Sequence, residues 1–382
     1  MSGMIIGAGI GGLATAIALQ KRGVPVRVFE AASALSPIGA GILVPPNAMN
    51  ILARYGLAEQ VRAAGKPIDR FAILDRHGKL ISQVSAHYAQ QGSSHQAVAI
   101  HRGQLQQVLL NGLMADTIAT KKSCVRINLH ADRTEALFED GTTVSGAFVV
   151  GADGLHSVVR HAVFPQNRLR YSGQTCWRGV ATLTLADKWA NQFVEIWDRC
   201  GAFGFVPISA SQVYWFATQR APAYGVDDMH DVKQCLIDLH GSLIEPVVEL
   251  IAQTETSQII RNDLFDLVRL KSWTKGRAVL IGDAAHAMLP NLGQGGAQAI
   301  EDSWVLSEAL ATNKSYEEAF IRFQSLRLAR ARKIAGMSRD LANISGLCNA
   351  TLRNVRDTLL RRTPAFITAY QSRSIYGMPY FL

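Results

Sequence analysis

Four glycines near the start of the chain have the spacing of a turn that holds a dinucleotide. They follow the short apolar run at residues 4–6 and precede residues 13–19, which contain no helix breaker; they are Gly7, Gly9, Gly11 and Gly12. This order predicts a strand, a tight turn and a helix whose free N-terminal amides face a pyrophosphate. Gly7 permits the turn, Gly9 lets the backbone approach the phosphates, and Gly12 lets the helix pack on the strand.

Glu30 indicates which dinucleotide is bound. It follows the predicted second strand at residues 26–29, where a carboxylate can accept hydrogen bonds from both ribose hydroxyls and repels a 2′-phosphate. We therefore predict FAD or NAD rather than NADP; for the glycines alone, a turn without a ligand is the alternative. Ala31 and Val125 are expected to contribute backbone contacts around the adenosine. Because few residues precede Gly7, a native start upstream of Met1 is a further expectation.

Two more carboxylates follow predicted buried strands later in the chain. The apolar run at residues 147–150 leads to Asp153, and the run at residues 278–281 leads to Asp283. Continuous apolar runs of this length are typical of strands that are buried on both faces. For Asp153, the alternative is an Asp-Gly turn before a capped helix. His286 lies at a strand-to-helix turn, where we expect a structural hydrogen bond rather than catalysis.

Together the three motifs resemble those of the FAD-dependent aromatic hydroxylases, the group A flavoprotein monooxygenases with the p-hydroxybenzoate hydroxylase fold. The resemblance extends to about residue 335. It implies an α/β fold: a Rossmann-like FAD-binding domain, an inserted mixed-sheet substrate domain and a helical C-terminal segment. The predicted FAD-binding domain comprises residues 1–70, 96–172 and 262–335, the substrate domain residues 71–95 and 173–261, and the C-terminal segment residues 336–382.

The resemblance also assigns residues to the flavin. It implies that Asp283 binds the ribityl chain, that Arg102 reaches the phosphates or the ribityl chain, and that Asp153 holds its loop near the pyrophosphate. For Arg102, a solvated arginine at a helix start is the alternative. Gly41 matches the family loop beside the flavin ring. Contacts near the ring, where backbone amides stabilise the reduced flavin, are implied for Pro290, Gly293, Gly295, Gly296 and Ala297.

Within the family, the chain is most similar to the small bacterial hydroxylases of urate and of alkylquinolones. The similarity rests on residues 172–178 and 262–264, on Tyr214, and on Ala297 at a position where many other relatives have Asn. Ala202 stands where those enzymes carry an arginine, which counts against urate itself.

A substrate wall is predicted in the middle of the chain, where short strands carry alternating aromatic residues. Alternation places Phe203 with Phe205 on one face, and Tyr214 with Phe216 on one face. We expect these residues to line an apolar pocket over the flavin together with Trp177 and Met288, and Tyr214 to act in catalysis. For any one aromatic residue, an ordinary place in the sheet core is the alternative.

The resemblance implies a reaction. FAD is reduced by NADH or NADPH, which docks transiently because the sequence has no second dinucleotide fingerprint. The reduced flavin captures O₂ as a C4a-hydroperoxide and transfers oxygen to a small apolar aromatic or heteroaromatic substrate. The alternatives are an isoprenoid-type flavin reductase of the same fold and a flavin-binding sensor without turnover. A halogenase is disfavoured because its WxWxIP segment is missing.

Composition limits the remaining classes. The chain has 382 residues, of which 48% are hydrophobic and 18% charged, as expected for a globular protein with two or three domains. Its five cysteines are odd in number and show no CxxC pairing, which favours reduced thiols in the cytoplasm and argues against a metal site. No segment resembles a nucleic-acid-binding motif.

The net charge of +9 is concentrated at the C-terminal end. Residues 320–382 contain eleven Lys or Arg and two Asp, a surplus equal to that of the whole chain. Within them, an amphipathic stretch places Leu352, Val355 and Leu359 on one helical stripe. One interpretation is a helix packed on the body with its arginines outward. The other is peripheral contact of the basic C-terminus with the inner face of a membrane, helped by aromatic residues that include Tyr380 and Phe381.

Overall fold

A six-stranded sheet lies at the centre of the structure, a computed structural model that describes residues 1–35, 39–85, 95–228 and 230–377. Its strands lie in the order β18 (Thr274–Lys275), β19 (Ala278–Leu280), β12 (Val149–Gly151), β1 (Gly3–Ile6), β2 (Val26–Phe29) and β8 (Ile118–Ala119). Neighbouring strands are parallel except for β18 and β19. The predicted α/β fold is confirmed, and the three sequence motifs all follow strands of this sheet.

Helices and two smaller sheets surround the central sheet. One small sheet has the order β3 (Gly41–Val44), β7 (Ala97–His101) and β4 (Lys66–Ile68), and the other β11 (Thr143–Gly146), β10 (Thr134–Phe138) and β9 (Cys124–Leu129). Helix α1 (Ile10–Gln20) is buried along nearly its whole length. The helices that follow it are α2 (Pro46–Arg54), α3 (Ala58–Ala64), α4 (Arg102–Asn111), α5 (Val158–Val163), α6 (Val232–His240), α7 (Val247–Ala252), α8 (Asp283–His286) and α9 (Gly295–Thr312).

A seven-stranded mixed sheet forms the second half of the molecule. Its order is β17 (Ile260–Leu267), β13 (Leu169–Thr182), β16 (Gln212–Arg220), β15 (Gly201–Pro207), β14 (Gln192–Asp198), β5 (Arg70–Asp75) and β6 (Leu80–Ser85). Only β14 and β5 run parallel. The predicted mixed sheet is therefore present, whereas the predicted domain boundaries stay a prediction.

Strand register divides the aromatic residues of this sheet between its two faces. Phe203 pairs with Ala217 and Phe205 pairs with Trp215, so these four side chains share one face. That face packs against α6 and α7 in a core that also contains Trp177. On the other face, Phe216 lies opposite Gly204, where a methyl group would overlap its ring.

Three helices lie in the C-terminal part of the described chain: α10 (Tyr316–Ser345), α11 (Ala350–Arg361) and α12 (Ala365–Tyr376). Helix α11 has an unusual orientation, because its apolar stripe is turned away from the body. Leu352, Val355 and Leu359 are 53%, 51% and 64% exposed, whereas Arg356 and Asp357 are buried. The guanidinium of Arg356 lies 4.6 Å from the centroid of the Trp197 ring. The expectation of a helix packed with its arginines outward is therefore wrong for Arg356.

Most of the C-terminal arginines make structural contacts. Arg327 pairs with Glu301, as does Arg330; Arg339 pairs with Asp266, and Arg361 pairs with Asp75. Sequence reasoning could not pair them, because the carboxylates lie far away along the chain. In the part of the chain described here, Arg362 and Arg373 have no such partner. Tyr380 and Phe381 lie outside the described residues.

The expectation of five reduced thiols is wrong for two of them. Cys200 and Cys348 form a disulfide, with Cα atoms 4.4 Å apart and a sequence separation of 148. The bond connects the β14–β15 turn to the segment that joins α10 and α11. Such a separation carries no spacing signal, which is why the pairing was not foreseen. Cys124, Cys176 and Cys235 are free.

Candidate active site

The glycine-rich turn after β1 has the geometry that its sequence predicts. Gly7 has a φ of +101°, which favours glycine, and a methyl group at Gly12 would overlap the Gly7 carbonyl oxygen. No atom lies within 4 Å of the place where a side chain of Gly9 would begin. The turn therefore leaves open space at the start of α1, where a phosphate group can approach the free amides.

The two acidic residues near this turn are fixed by backbone contacts. Glu30 accepts hydrogen bonds from the amides of Ala8 and Ala32, each at 2.8 Å. Asp153 accepts one from Ser157 and one from the amide of Val159, at the start of α5. These contacts hold the loop against the start of α5, which is what the alternative of an Asp-Gly turn before a capped helix expects. The contact of Asp153 with the cofactor stays a prediction.

Arg160 connects the second motif to the third. It is buried, and its guanidinium donates to the carbonyl oxygens of Leu155 and Ala284, at 2.5 and 3.2 Å. One side chain thereby fixes the loop that contains Asp153 against the turn that contains Asp283.

The third motif is supported by buried charges. His286 is bonded through Nε2 to Asp302, at 2.6 Å, and Asp302 also accepts from the amide of Gly282 at 2.9 Å and from Arg327 at 2.7 Å. Burial opposes the ionisation of Asp302, but His286 and Arg327 together hold its pKa below the ordinary value. The expected structural hydrogen bond of His286 is confirmed.

Asp283 occupies a different position, because its carboxylate faces a cavity. Within the described ranges no hydrogen bond reaches this carboxylate, and burial raises its pKa despite the nearby charges of His286, Arg102 and Arg160. Asp283 lines the cavity, and its surface is open to solvent there. It is therefore an acceptor without a donor, as a residue that binds ribityl hydroxyls should be.

The cavity has a volume of roughly 1280 Å³ and three walls. The first consists of loops around the predicted flavin site and includes Gly41, Arg102, Asp283, Met288, Pro290, Gly293, Gly295 and Gly296. The second is the open face of the seven-stranded sheet and includes Cys176, Arg178, Phe193, Glu195, Trp197, Tyr214, Phe216 and Thr218. The third consists of C-terminal helices and includes Leu341, Ile344, Leu360, Gln371, Ile375 and Tyr376.

Three of the predicted substrate residues face away from this cavity. Phe203 and Phe205 are fully buried, and Trp177 donates to Asp227 at 2.5 Å from the same packed core. The prediction was wrong for these residues, because alternation shows which side chains share a face but not which face is covered. Tyr214, Phe216 and Met288 do line the cavity.

Tyr214 connects the sheet wall to the flavin loop. A methyl group at Gly41 would overlap the side chain of Tyr214. Its hydroxyl accepts a hydrogen bond from Arg178, but burial has the larger effect and raises the pKa of Tyr214. The phenol therefore stays protonated near neutral pH and can donate a hydrogen bond to a ligand.

Arg178 and Glu195 are cavity residues that sequence reasoning missed. Glu195 is buried, and its carboxylate accepts a hydrogen bond from Nε1 of Trp197 at 2.7 Å. Burial raises its pKa to about 7. A signal was present in β14, where a carboxylate alternates with Phe193 and Trp197 on one face. Arg178 ends the motif at residues 172–178 that carried the family resemblance.

The remaining predicted flavin contacts are distributed around the same region. Ala31 is exposed beside Glu30, and Ala297 is buried in the first turn of α9. Val125 is 49% exposed and lines a second, smaller cavity with His156 and Ser157. Gly293 adopts the left-handed conformation with a φ of +61° before α9 begins. An open glycine turn, an acceptor without a donor and adjacent loop glycines together fit an FAD molecule.

A turn that can hold a pyrophosphate and a cavity between the flavin loops and a mixed sheet define the class as an FAD-dependent monooxygenase. Residues 1–335 match the model of the FAD-binding domain family, so the chain belongs to this family and its cofactor is FAD. The resemblance drawn from the sequence is confirmed.

Relatives with known activities place the chain in the predicted branch. It is 38% identical to the aurachin C monooxygenase/isomerase of Stigmatella aurantiaca, over 94% of this chain and 93% of the relative. It is 34% identical to the 2-heptyl-3-hydroxy-4(1H)-quinolone synthase of Pseudomonas aeruginosa, over 95% of this chain and 94% of the relative. The crystal structure of HpxO from Klebsiella pneumoniae, complexed with FAD and uric acid, is similar with a TM-score of 0.91 and 27% identity, covering 98% and 96% of the two chains.

Proposed function

We propose that this protein hydroxylates an apolar heteroaromatic compound of the quinolone type, with NADH or NADPH and O₂ as co-substrates. The observation that carries the proposal is the cavity, whose sheet wall includes the aromatic rings of Phe193, Trp197, Tyr214 and Phe216 and whose C-terminal wall includes the aliphatic side chains of Leu341, Ile344, Leu360 and Ile375. Its volume exceeds that of a typical small-molecule pocket. An isoalloxazine ring and a bicyclic substrate with an apolar chain can share such a space. The 34% identity to the 2-heptyl-3-hydroxy-4(1H)-quinolone synthase of Pseudomonas aeruginosa supports the quinolone class.

The residues of the chain would bind and orient, and the cofactor would supply the oxidation. Bound FAD would take a hydride from NADH or NADPH and activate O₂ as a C4a-hydroperoxide. Asp283 and Arg102 would hold the ribityl and phosphate groups, and the loop glycines would bring amides to the ring. Tyr214 would donate a hydrogen bond to the substrate, while Phe216 contacts its ring and the C-terminal helices exclude water.

Turnover measurements test this proposal. The purified FAD protein is mixed with 2-alkyl-4(1H)-quinolones and other small aromatics, and oxidation of NADH or NADPH, oxygen uptake and product are followed. We expect quinolone-stimulated oxygen uptake and a hydroxylated product. In Tyr214→Phe, coupling should fall and more peroxide should be released at unchanged FAD content. Reduction of a double bond without oxygen uptake would instead indicate an isoprenoid-type reductase, and FAD binding without any stimulation would indicate a sensor.

We also propose that α11 rests on an anionic lipid surface at the cytoplasmic face of a membrane. The helix exposes Leu352, Val355 and Leu359 to solvent, and Arg362 follows at its end. The neighbouring Leu360 lines the cavity, so an apolar substrate would have a short path from lipid to the site. An exposed apolar face beside basic residues is typical of interfacial helices. No helix in the described ranges is long and apolar enough to span a membrane.

Vesicle co-sedimentation tests this surface. The full-length protein is mixed with phosphatidylglycerol–phosphatidylcholine vesicles at low and high salt, and compared with Leu352→Asp/Leu359→Asp. We expect the wild type to sediment, more weakly at high salt, and the variant to remain in solution. Val248→Asp, at an exposed apolar position on α7, is the matched control and should sediment like the wild type. Failure of the wild type to sediment would contradict the proposal, as would concentration-dependent dimerisation through this stripe.

A further inference from the structure

The Glu195 carboxylate lies within a cross-strand row on the cavity face of the seven-stranded sheet, and no ion pair reaches it from the residues described. Registers place Ile73, Glu195, Gly204, Phe216 and Arg178 side by side across five strands on the cavity face. Glycine at 204 leaves space that the Phe216 ring occupies. Glu195 therefore stands beside an aromatic platform, with Ile73 and then Ser82 on the side away from the ring.

The hydrogen bonding of Glu195 is incomplete. Its Oε1 accepts from Nε1 of Trp197, and that is the one hydrogen bond to the carboxylate in the described part of the chain. Buried carboxylates normally have several donors, because each oxygen loses hydration on burial. The donor that would complete the site must therefore come from the cavity.

We infer that Glu195 is a recognition site for a ring N–H or O–H group of the substrate, and that it orients a heteroaromatic ring lying against Phe216. The inference rests on the proposed function and specifies its substrate class: a ring with a hydrogen-bond donor on its edge, as in a 4(1H)-quinolone. A substrate that lacks this donor leaves a buried carboxylate unsatisfied, which is a strong basis for discrimination.

Glu195→Gln removes the acceptor with little change in volume. The Trp197 N–H needs an acceptor, so the amide oxygen must take the position of Oε1. The amide nitrogen then stands in the place of Oε2, where its N–H groups face the N–H of the substrate. Any role limited to supporting Trp197 would survive this substitution, whereas substrate recognition would not.

The test is a binding cycle with two ligands and two proteins. Affinities of 2-heptyl-4(1H)-quinolone and of its N-methyl derivative are measured from the absorbance change of oxidised FAD, without turnover. We expect the wild type to prefer the N–H ligand by on the order of tenfold or more, and Glu195→Gln to bind the two within a few-fold. Glu249→Gln, on the exposed side of α7, should keep the wild-type preference.

The outcomes separate the inference from the proposed function. If both proteins prefer the N–H ligand equally, its advantage has another origin, and the role of Glu195 is overturned. If the wild type binds both ligands equally, the inference also fails, and this result needs no variant. If neither quinolone perturbs the flavin of the wild type, the quinolone class itself fails and the inference fails with it.

Discussion

The two faces of the seven-stranded sheet are built from the same strands but have different tasks. One face is a closed core in which Phe203, Phe205 and Trp215 are fully buried against α6 and α7. The other carries Tyr214, Phe216 and Glu195 and borders the cavity. Substitutions of successive residues such as Trp215 and Phe216 should therefore have different effects. A substitution on the covered face should mainly lower the stability of the fold, and one on the open face should mainly weaken ligand binding.

The largest effect on stability should come from the covered face. Trp215 is fully buried, stacks on Phe203 with ring centroids 5.5 Å apart, and donates to the Thr254 hydroxyl at 2.8 Å. Trp215→Ala should lower the free energy of unfolding by about 3–5 kcal/mol, because it leaves a cavity and removes the hydrogen bond that the indole donates to Thr254. Urea unfolding followed by fluorescence measures this loss. A loss below that of Phe216→Ala would contradict the assignment of the faces.

A buried titratable group on each face should give opposite pH dependences. The pKa of Glu195 is raised from 4.5 to about 7 by burial. Between these two pH values the folded protein holds a proton on this carboxyl group that the unfolded chain has lost. The contribution of this bound proton to the free energy of unfolding is fully present below about pH 4.5. It is lost as the pH rises through about 7, a change of about 3 kcal/mol. Glu195→Gln should therefore gain stability relative to the wild type over this range. Urea unfolding at several pH values measures the difference, and parallel curves would refute the prediction.

His240 should show the reverse behaviour on the covered face. Burial lowers its pKa to about 4, and neither ring nitrogen has a hydrogen-bond partner among the residues that the structure describes. Because the unfolded chain binds the proton more readily, stability falls as the pH drops from about 6.5 to about 4, again by about 3 kcal/mol. His240→Leu should resist acid better than the wild type in the same assay. Equal acid sensitivity in both proteins would count against this account.

The smallest effect on stability should come from the open face. Phe216 is half-buried, so Phe216→Ala should lower the free energy of unfolding by only about 1–2 kcal/mol. It should nevertheless weaken quinolone binding by on the order of tenfold, since the ring would lose its platform. Titration of the oxidised flavin measures this affinity. Unchanged affinity would remove Phe216 from the site.

The sequence predicts best those features whose residues lie close together along the chain. The turn at Gly7 and the carboxylates after β2, β12 and β19 lie within a few residues of the strands that position them, so spacing and residue type were sufficient. The faces of the mixed sheet depend on registers between distant strands, which no single strand encodes. For the same reason the arginines of α10 and α11, and the bond between Cys200 and Cys348, could not be assigned to their partners.

The stacking of Arg356 on Trp197 connects the C-terminal helix α11 to the cavity. Arg356 belongs to α11, and the Trp197 indole that it covers donates its N–H to Glu195. A displacement of α11 would therefore alter the surroundings of a cavity carboxylate through a single intervening ring. Linked equilibria are reciprocal: if the helix settles differently when the cavity is filled, occupancy of the cavity must change the affinity of the helix for its surface by the same factor.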